Sequence, residues 1–520
     1  MKDLKYFQNI IKEKRKNTPF RDFLKEIVSW STVVLHRNNG IISKFPDTDR
    51  IKGVIPNKDF ENSRDDLINQ GIDYDYEKSF FKNFQKLLLS IDIFDFLIYG
   101  GSENTYYSDV ILNSKTVYLS FTVINNCENI FYSFSVKDNC TDVFSSVSTY
   151  QNSSIVYFGS GIIESYKIFY SRFINNSNNI WFSSNLTGCS ECLFCNDLDN
   201  CSFYIENIKY EKEEYFVKKA NALKDKTKYL EYFKNVNKTG KNNNSTNVEG
   251  SGFYNSHDVK NGYFGYNVKT GRNLIFVGGI NGNENMYDVL TGGAQQAHDL
   301  YGIMGANGDN LYCSMNVSDS TNIYYSFFVT SCSYCLGCIG LRNKSYCIFN
   351  KQYTKEEWHK EVIKIFSKIE QEGTLGDFFP GIINPFYFND TLAGLFGNFS
   401  KQEVEKQGFM WRKEEIKVDI PEGVEVIFTH PQPLPSKEGR SSSSSSSHDK
   451  GRLGGVLSDY QGYDKDGNWQ INPEILNVVI KGEKGNYYRI VKMEYDFLVK
   501  YGLPIPEIHW MDRMKLNFGM

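Results

Sequence analysis

The side chains best suited to chemistry in this chain are cysteines. Cys189, Cys192 and Cys195 stand three apart, and Cys332, Cys335 and Cys338 repeat the spacing. Thiolates at knuckle-like spacing point to zinc, which takes four ligands in structural sites. The fourth ligand would be Cys201 in the first set and Cys347 or Cys313 in the second, and these are not equivalent positions. Along an extended strand, residues i and i+3 face opposite ways, so three such thiols converge only across a corner. Reduced cysteine is also a good small hydrophobe for a narrow interior. Packing is the preferred role, a metal site through Cys189, Cys192, Cys195, Cys201, Cys332, Cys335, Cys338 and Cys347 the second, and redox or nucleophilic work the third.

The other candidates are thinner. Asp464-Lys-Asp466-Gly467-Asn468 opens like a calcium loop, but Trp469 stands at the glycine place and Ile475 at the closing glutamate place, so the stretch reads as a turn. His257 and His298 have no nucleophile beside them in sequence. A glycan-active solenoid would cluster acids on one face; Asp258, Asp288, Asp299, Asp309 and Asp319 fall at differing phases instead. The glycines from Gly278 to Gly305 are not followed by the helix a phosphate loop needs, and they read as relief at tight corners. No catalytic residue and no cofactor is assigned.

What would position the cysteines is a repeat. Ile180-Trp-Phe-Ser, the first triplet, Leu198 and Phe203-Tyr-Ile205 superpose without a gap on Ile323-Tyr-Tyr-Ser, the second triplet, Leu341 and Tyr346-Cys-Ile348. An internal duplication is expected. Apolar residues open strand-like pieces at Val117, Ile130, Val143, Ile155, Ile168, Ile180, Cys192 and Phe203, and again at Leu274, Met286, Leu300, Leu311, Ile323, Cys335 and Tyr346. Asparagine often stands just before: Asn129, Asn179, Asn273, Asn285, Asn310, Asn322. It tolerates the left-handed conformation and suits a repeated corner. Strand plus turn at a fixed short period predicts a solenoid, in which stacked rungs bury what one rung cannot; an antiparallel sandwich is the alternative.

The predicted fold is mainly β with helical caps: two tandem short-period parallel β-solenoid arrays with small α+β modules at both ends. Residues 1–35 read as helices, 36–104 as a ribbon-like module with a capping helix, and 105–235 as the first array with its C-terminal helix. A linker at 236–250 leads to the second array and its helix at 251–372. Residues 373–470 are irregular, with a disordered Pro/Ser insertion around serines 441–447, and 471–520 form a ribbon-like hairpin plus helix. Thr354 and Glu357 predict a capping box. Phe216, Ala220, Leu223, Leu230 and Phe233 predict an apolar stripe on the first array's helix.

At 520 residues the chain exceeds one ordinary core. A formal charge of -4 argues against a dedicated nucleic-acid binder. No apolar run suits a membrane span, the start lacks a secretory signal, and the 11 cysteines read as reduced thiols of a cytoplasmic protein.

Phe80-Phe81-Lys-Asn-Phe84-Gln, Gly101-Ser-Glu-Asn104, the cysteine-rich rungs, Gly340-Leu341-Arg-Asn343-Lys344-Ser-Tyr346, Met410-Trp411-Arg and Tyr487-Tyr-Arg-Ile-Val together resemble an uncharacterised group of cysteine-rich repeat, zinc-ribbon-like proteins of ultrasmall candidate-phylum bacteria. The resemblance covers most of the chain and implies architecture, with cysteine knuckles at both ends. This chain departs there. His36 and Asn39-Gly40 stand where a first knuckle would be, Gly482 to Gly485 carries no cysteine, and only His509 lies near the second position. The group implies no activity. The expected function is a non-catalytic scaffold presenting flat ladders of Tyr, Ser and Asn to a protein partner, with oligomeric state open. The alternatives are zinc or nucleic-acid binding through the cysteine clusters, and a glycan-active enzyme.

Overall fold

A computed structural model describes residues 2–293, 297–413, 418–430 and 455–518. The serine run at 441–447 lies outside the described residues. The chain is mainly β, a β-solenoid over residues 98–348 with helices at its ends.

The coil is built on a corner every third residue. Thr116, Leu119, Thr122 and Asn125 have φ of 53°, 45°, 60° and 64°. Each sits in the left-handed region and turns the chain sharply. Between them Ser114, Val117, Ser120 and Val123 are fully buried along the bore. The next turn repeats this with Cys127, Ile130, Ser133 and Val136. Neighbouring turns are parallel and in register: Val117 pairs with Ile130, Ile130 with Val143, Ile168 with Ile180, and Ile180 with Cys192. Three turns carry one extra residue, housed as paired left-handed positions at Asn125/Asn126, Asp138/Asn139 and Gln151/Asn152. All six asparagines singled out as corners have positive φ. The phase differs at three openers. Ile155, Phe203 and Tyr346 are themselves corners, and Val156, Tyr204 and Cys347 take the stacking place.

A left-handed non-glycine residue costs on the order of 1 kcal/mol, so the stack must offset many such terms. Two devices do this. Corner side chains bond from turn to turn, as from Asn125 Nδ2 to Asp138 Oδ1 (2.8 Å) and from Asn129 Nδ2 to Asp142 Oδ1 (2.9 Å). Inside, each serine Oγ accepts the backbone N–H of the residue above it: Ser133 donates to Ser120, Ser146 to Ser133, and Ser177 to Ser165.

The ladders form a seventeen-stranded sheet, from Ile98 to Lys209, and a seven-stranded sheet, from Thr246 to Gln352. Helices Lys212–Ala222 and Tyr229–Asn235 lie between them. The sheets run side by side in opposite directions. Phe264 stacks on Phe173, whereas Phe276, a turn later, meets Phe134, which is earlier in the first sheet. Tyr266 donates to Asp138 Oδ2 (2.6 Å) and Lys137 Nζ to the Phe276 carbonyl (3.1 Å) across this seam. Each sheet ends in a short antiparallel return, Ile208–Lys209 and Lys351–Gln352. Helix Lys355–Gln371 follows the second. It has the expected capping box, and Trp358 Nε1 bonds to the Cys347 carbonyl (3.2 Å). On the helices after the first sheet the stripe differs from expectation. Phe216 is 43 % exposed, and Tyr215, Tyr229 and Phe233 are buried instead.

The chain ends cross over. Helix Leu4–Lys16 packs on the second sheet, and helix Trp510–Phe518 packs on the first. The outward tyrosines Tyr287, Tyr301, Tyr312 and Tyr324 stack within 7° of parallel. They are held under the N-terminal helix, where Gln8 donates to Tyr324 Oη and the Lys12 ammonium lies over Tyr301. Phe158, Tyr170, Phe182 and Phe194 stack likewise beneath Tyr229–Asn235. The aromatic ladders therefore dock the chain's own helices rather than standing open.

Candidate thiol clusters in the bore

Cysteines replace residues of the bore near the end of each sheet. Ser177 Oγ accepts the N–H of Cys189, and Ser183 Oγ that of Cys195. Cys189 and Cys195 thus continue serine columns. Cys192 continues the aliphatic column above Ile180. In the second sheet Cys332 follows Ser320 and Cys338 follows Ser326 in the same manner, while Cys335 and Cys347 stack above Ile323. The inference that i and i+3 thiols face apart is corrected here. A left-handed residue falls between them, Glu191 at 51° and Phe194 at 55°, so all three thiols turn inward. Cys192 reaches both Cys189 and Cys195, and Cys335 reaches Cys332, Cys338 and Cys347. Cys201 lies one turn above Cys189 and is in contact with it. Cys313 is elsewhere. It is a corner residue with φ of 48°, buried outside the bore next to Arg15 and the Gly376 carbonyl.

The thiols perform the serines' task. Cys189, Cys195, Cys332 and Cys338 receive the backbone N–H groups of Cys201, Asn207, Lys344 and Asn350. The hydrogen bond from Cys192, helped by the Cys201 N–H, draws Cys189 down to about 6 against its burial. Cys335 does the same for Cys332, to about 7. The middle thiols Cys192 and Cys335 are pushed up, because each holds its proton between two sulfurs. All 11 cysteines are free thiols. Among the described residues, no three or more His, Cys, Asp or Glu side chains are placed to hold a metal ion as they stand.

The remaining candidates resolve into corners and turns. Asp258, Asp288, Asp299 and Asp319 have positive φ. Asp258 accepts from Asn247, Asp319 from Asn307, and Asp309 from the His298 backbone. Asp288 is fully buried against Arg15 and Asn273, and burial raises it to about 6 although Arg15 pulls it down. Thr246 Oγ1 and His257 Nδ1 bond within the ladder. Asp464 accepts the N–H groups of Asp466 and Asn468, closing the hairpin between Gln461–Tyr463 and Trp469–Ile471. Of the terminal positions, His36 lies 3.5 Å from Asp390, and His509 sits in the wall of a cavity.

The serine columns were missed in the sequence. Their signal was present: Ser165, Ser177 and Cys189 follow at the coil's own step, as do Ser314, Ser326 and Cys338. No helix among the described residues is long and apolar enough to cross a membrane. Comparison with family models, with curated proteins and with solved structures gives no match.

Proposed function

We propose that the protein is a non-catalytic scaffold that offers one side of its coil to a protein partner, and that its two sheets are duplicate arrays of one repeat. The carrying observation is the side of the first sheet running through Lys115, Glu128, Thr141, Ser154, Tyr166, Asn178, Ser190 and Ser202. Lys115, Glu128, Tyr166, Asn178 and Ser202 are exposed, and the others are half-buried. The aromatic sides are already buried under helices, so this polar strip with a central tyrosine is the coil surface left for contact. A rigid ladder holds such side chains at low entropic cost, and tyrosine is favoured in contact surfaces. The test is recovery of a defined partner from the native host with wild-type protein and with a Tyr166→Glu, Asn178→Lys variant. The proposal expects a stoichiometric partner lost in the variant while thermal stability is unchanged. Identical recovery from both would overturn it.

A second reading, zinc held by the thiols, is favoured by the inward convergence of Cys189, Cys192 and Cys195 with Cys201 one turn above. Metal analysis of protein purified without a tag separates the two: one zinc per thiol cluster would replace the scaffold reading.

A further inference from the structure

We infer that a cavity beside the C-terminal helix binds the phosphoryl group of a small phosphate monoester. The cavity has a volume of about 310 Å³ and is walled by helix Tyr229–Asn235, the turn from Gly482 to Asn486, and the start of helix Trp510–Phe518. That volume is at the lower end of small-molecule sites, roughly 300–1,000 Å³, and is larger than a free phosphate needs.

Four lysines line it: Lys234, Lys238, Lys484 and Lys515. Only Lys484 has a carboxylate partner among the described residues, Asp512 at 3.0 Å. The other two acids of the wall are partly answered as well, because His430 lies 3.3 Å from Glu483 and 3.9 Å from Glu507. Three ammonium groups are therefore left facing one space without a counter-charge of their own. Such a surplus favours a dianion.

The floor supplies a neutral donor. His509 is 8 % exposed, and its Nδ1 accepts the Met511 N–H at 3.3 Å. An accepting Nδ1 places the ring proton on Nε2. Nε2 has no hydrogen-bond partner among the described residues, and His509 lines the cavity, so its N–H is available to an oxygen there. Burial and the Arg513 guanidinium lower His509 to about 4, which keeps the ring neutral in this role. Helix Trp510–Phe518 also begins at the wall, and its N-terminal partial charge adds to the attraction for an anion. Ile508 and Leu516 give the same wall an apolar part, which suits the carbon skeleton of an ester.

The test is calorimetric titration of the full chain at pH 7 with inorganic phosphate and, separately, with glycerol phosphate. Saturable binding of glycerol phosphate, tighter than that of inorganic phosphate, is expected. A Lys234→Gln, Lys515→Gln variant should weaken it on the order of tenfold, the worth of one good charge-assisted bond. Both lysines are exposed, so the variant folds, and Lys209→Gln on the distant strand return serves as the charge control with unchanged affinity. Absence of saturable binding to either probe, or equal weakening by Lys209→Gln, would overturn the inference. Equal affinity for the two probes would overturn the ester and leave free phosphate.

Discussion

The two chain ends dock on the coil in opposite styles. Both use a fully buried arginine, but the carboxylate that answers it comes from different places. Arg15 of the N-terminal helix meets Asp288, a corner of the second sheet, at 3.3 Å, and Glu26 at 2.9 Å. Arg513 of the C-terminal helix meets Glu494, which belongs to the neighbouring helix Lys492–Tyr501. Its link to the coil is a hydrogen bond to Ser145 Oγ (3.2 Å), and Asn517 adds one to the Ser145 carbonyl (2.8 Å). The N-terminal helix is thus fastened to the coil by charge. The C-terminal module settles its charge internally and meets the coil through neutral bonds and stacked rings such as Phe144 with Phe497.

That contrast makes unequal predictions for equivalent substitutions. The largest effect is expected for Arg513→Met. It strands Glu494, which is 0 % exposed, and should cost about 3–5 kcal/mol in chemical denaturation. Adding Glu494→Leu should restore most of that loss, because the pair is internal to its module. Asp288→Ala strands Arg15 in the same way, again by about 3–5 kcal/mol. Here the loss should appear as detachment: the segment 4–16 becomes the first site of limited proteolysis while the β circular-dichroism signal persists. If Arg513→Met gave the same local release, the distinction between the two ends would fail.

A smaller effect lies on the seam between the sheets. Burial lowers the Lys137 ammonium from 10.5 to about 8, with only Asp138 opposing. A lysine whose folded pKa is depressed costs stability while it is charged. The unfolded chain binds the extra proton between pH 8 and 10.5, so stability should rise with pH across that window. The full shift is worth on the order of 3 kcal/mol. Comparing denaturation midpoints of wild type and Lys137→Met across this range checks it, since the variant should lack the rise. The smallest effect is expected at the thiols. Cys332→Ser should change stability by no more than about 1 kcal/mol, because serine already fills that column and accepts the same N–H. A loss of several kcal/mol would instead mark Cys332 as more than a column residue.

Part of this was legible before any coordinates. The recurrence of Val117, Ile130 and Val143, and the asparagines ahead of them, carried the parallel in-register stack, because each turn repeats the same steric problem. The slips at Ile155, Phe203 and Tyr346 have one cause: a large apolar residue at a corner looks in sequence like the inward residue beside it. The aromatic residues announced ladders, but their burial under helices depends on segments far away in the chain.

The sequence alone determined the beat of the coil, its asparagine corners and the presence of thiols within its rungs, since these follow from local spacing. Only the tertiary structure decided where each rung bends. Thr116, Leu119 and Thr122 have no intrinsic preference for the left-handed region, and they are held there by the turns stacked on either side. That bend, invisible in residue types, turns Cys189, Cys192 and Cys195 into one interior, lays the second sheet back along the first, and leaves the lysine-lined cavity where residues 234 and 515 meet.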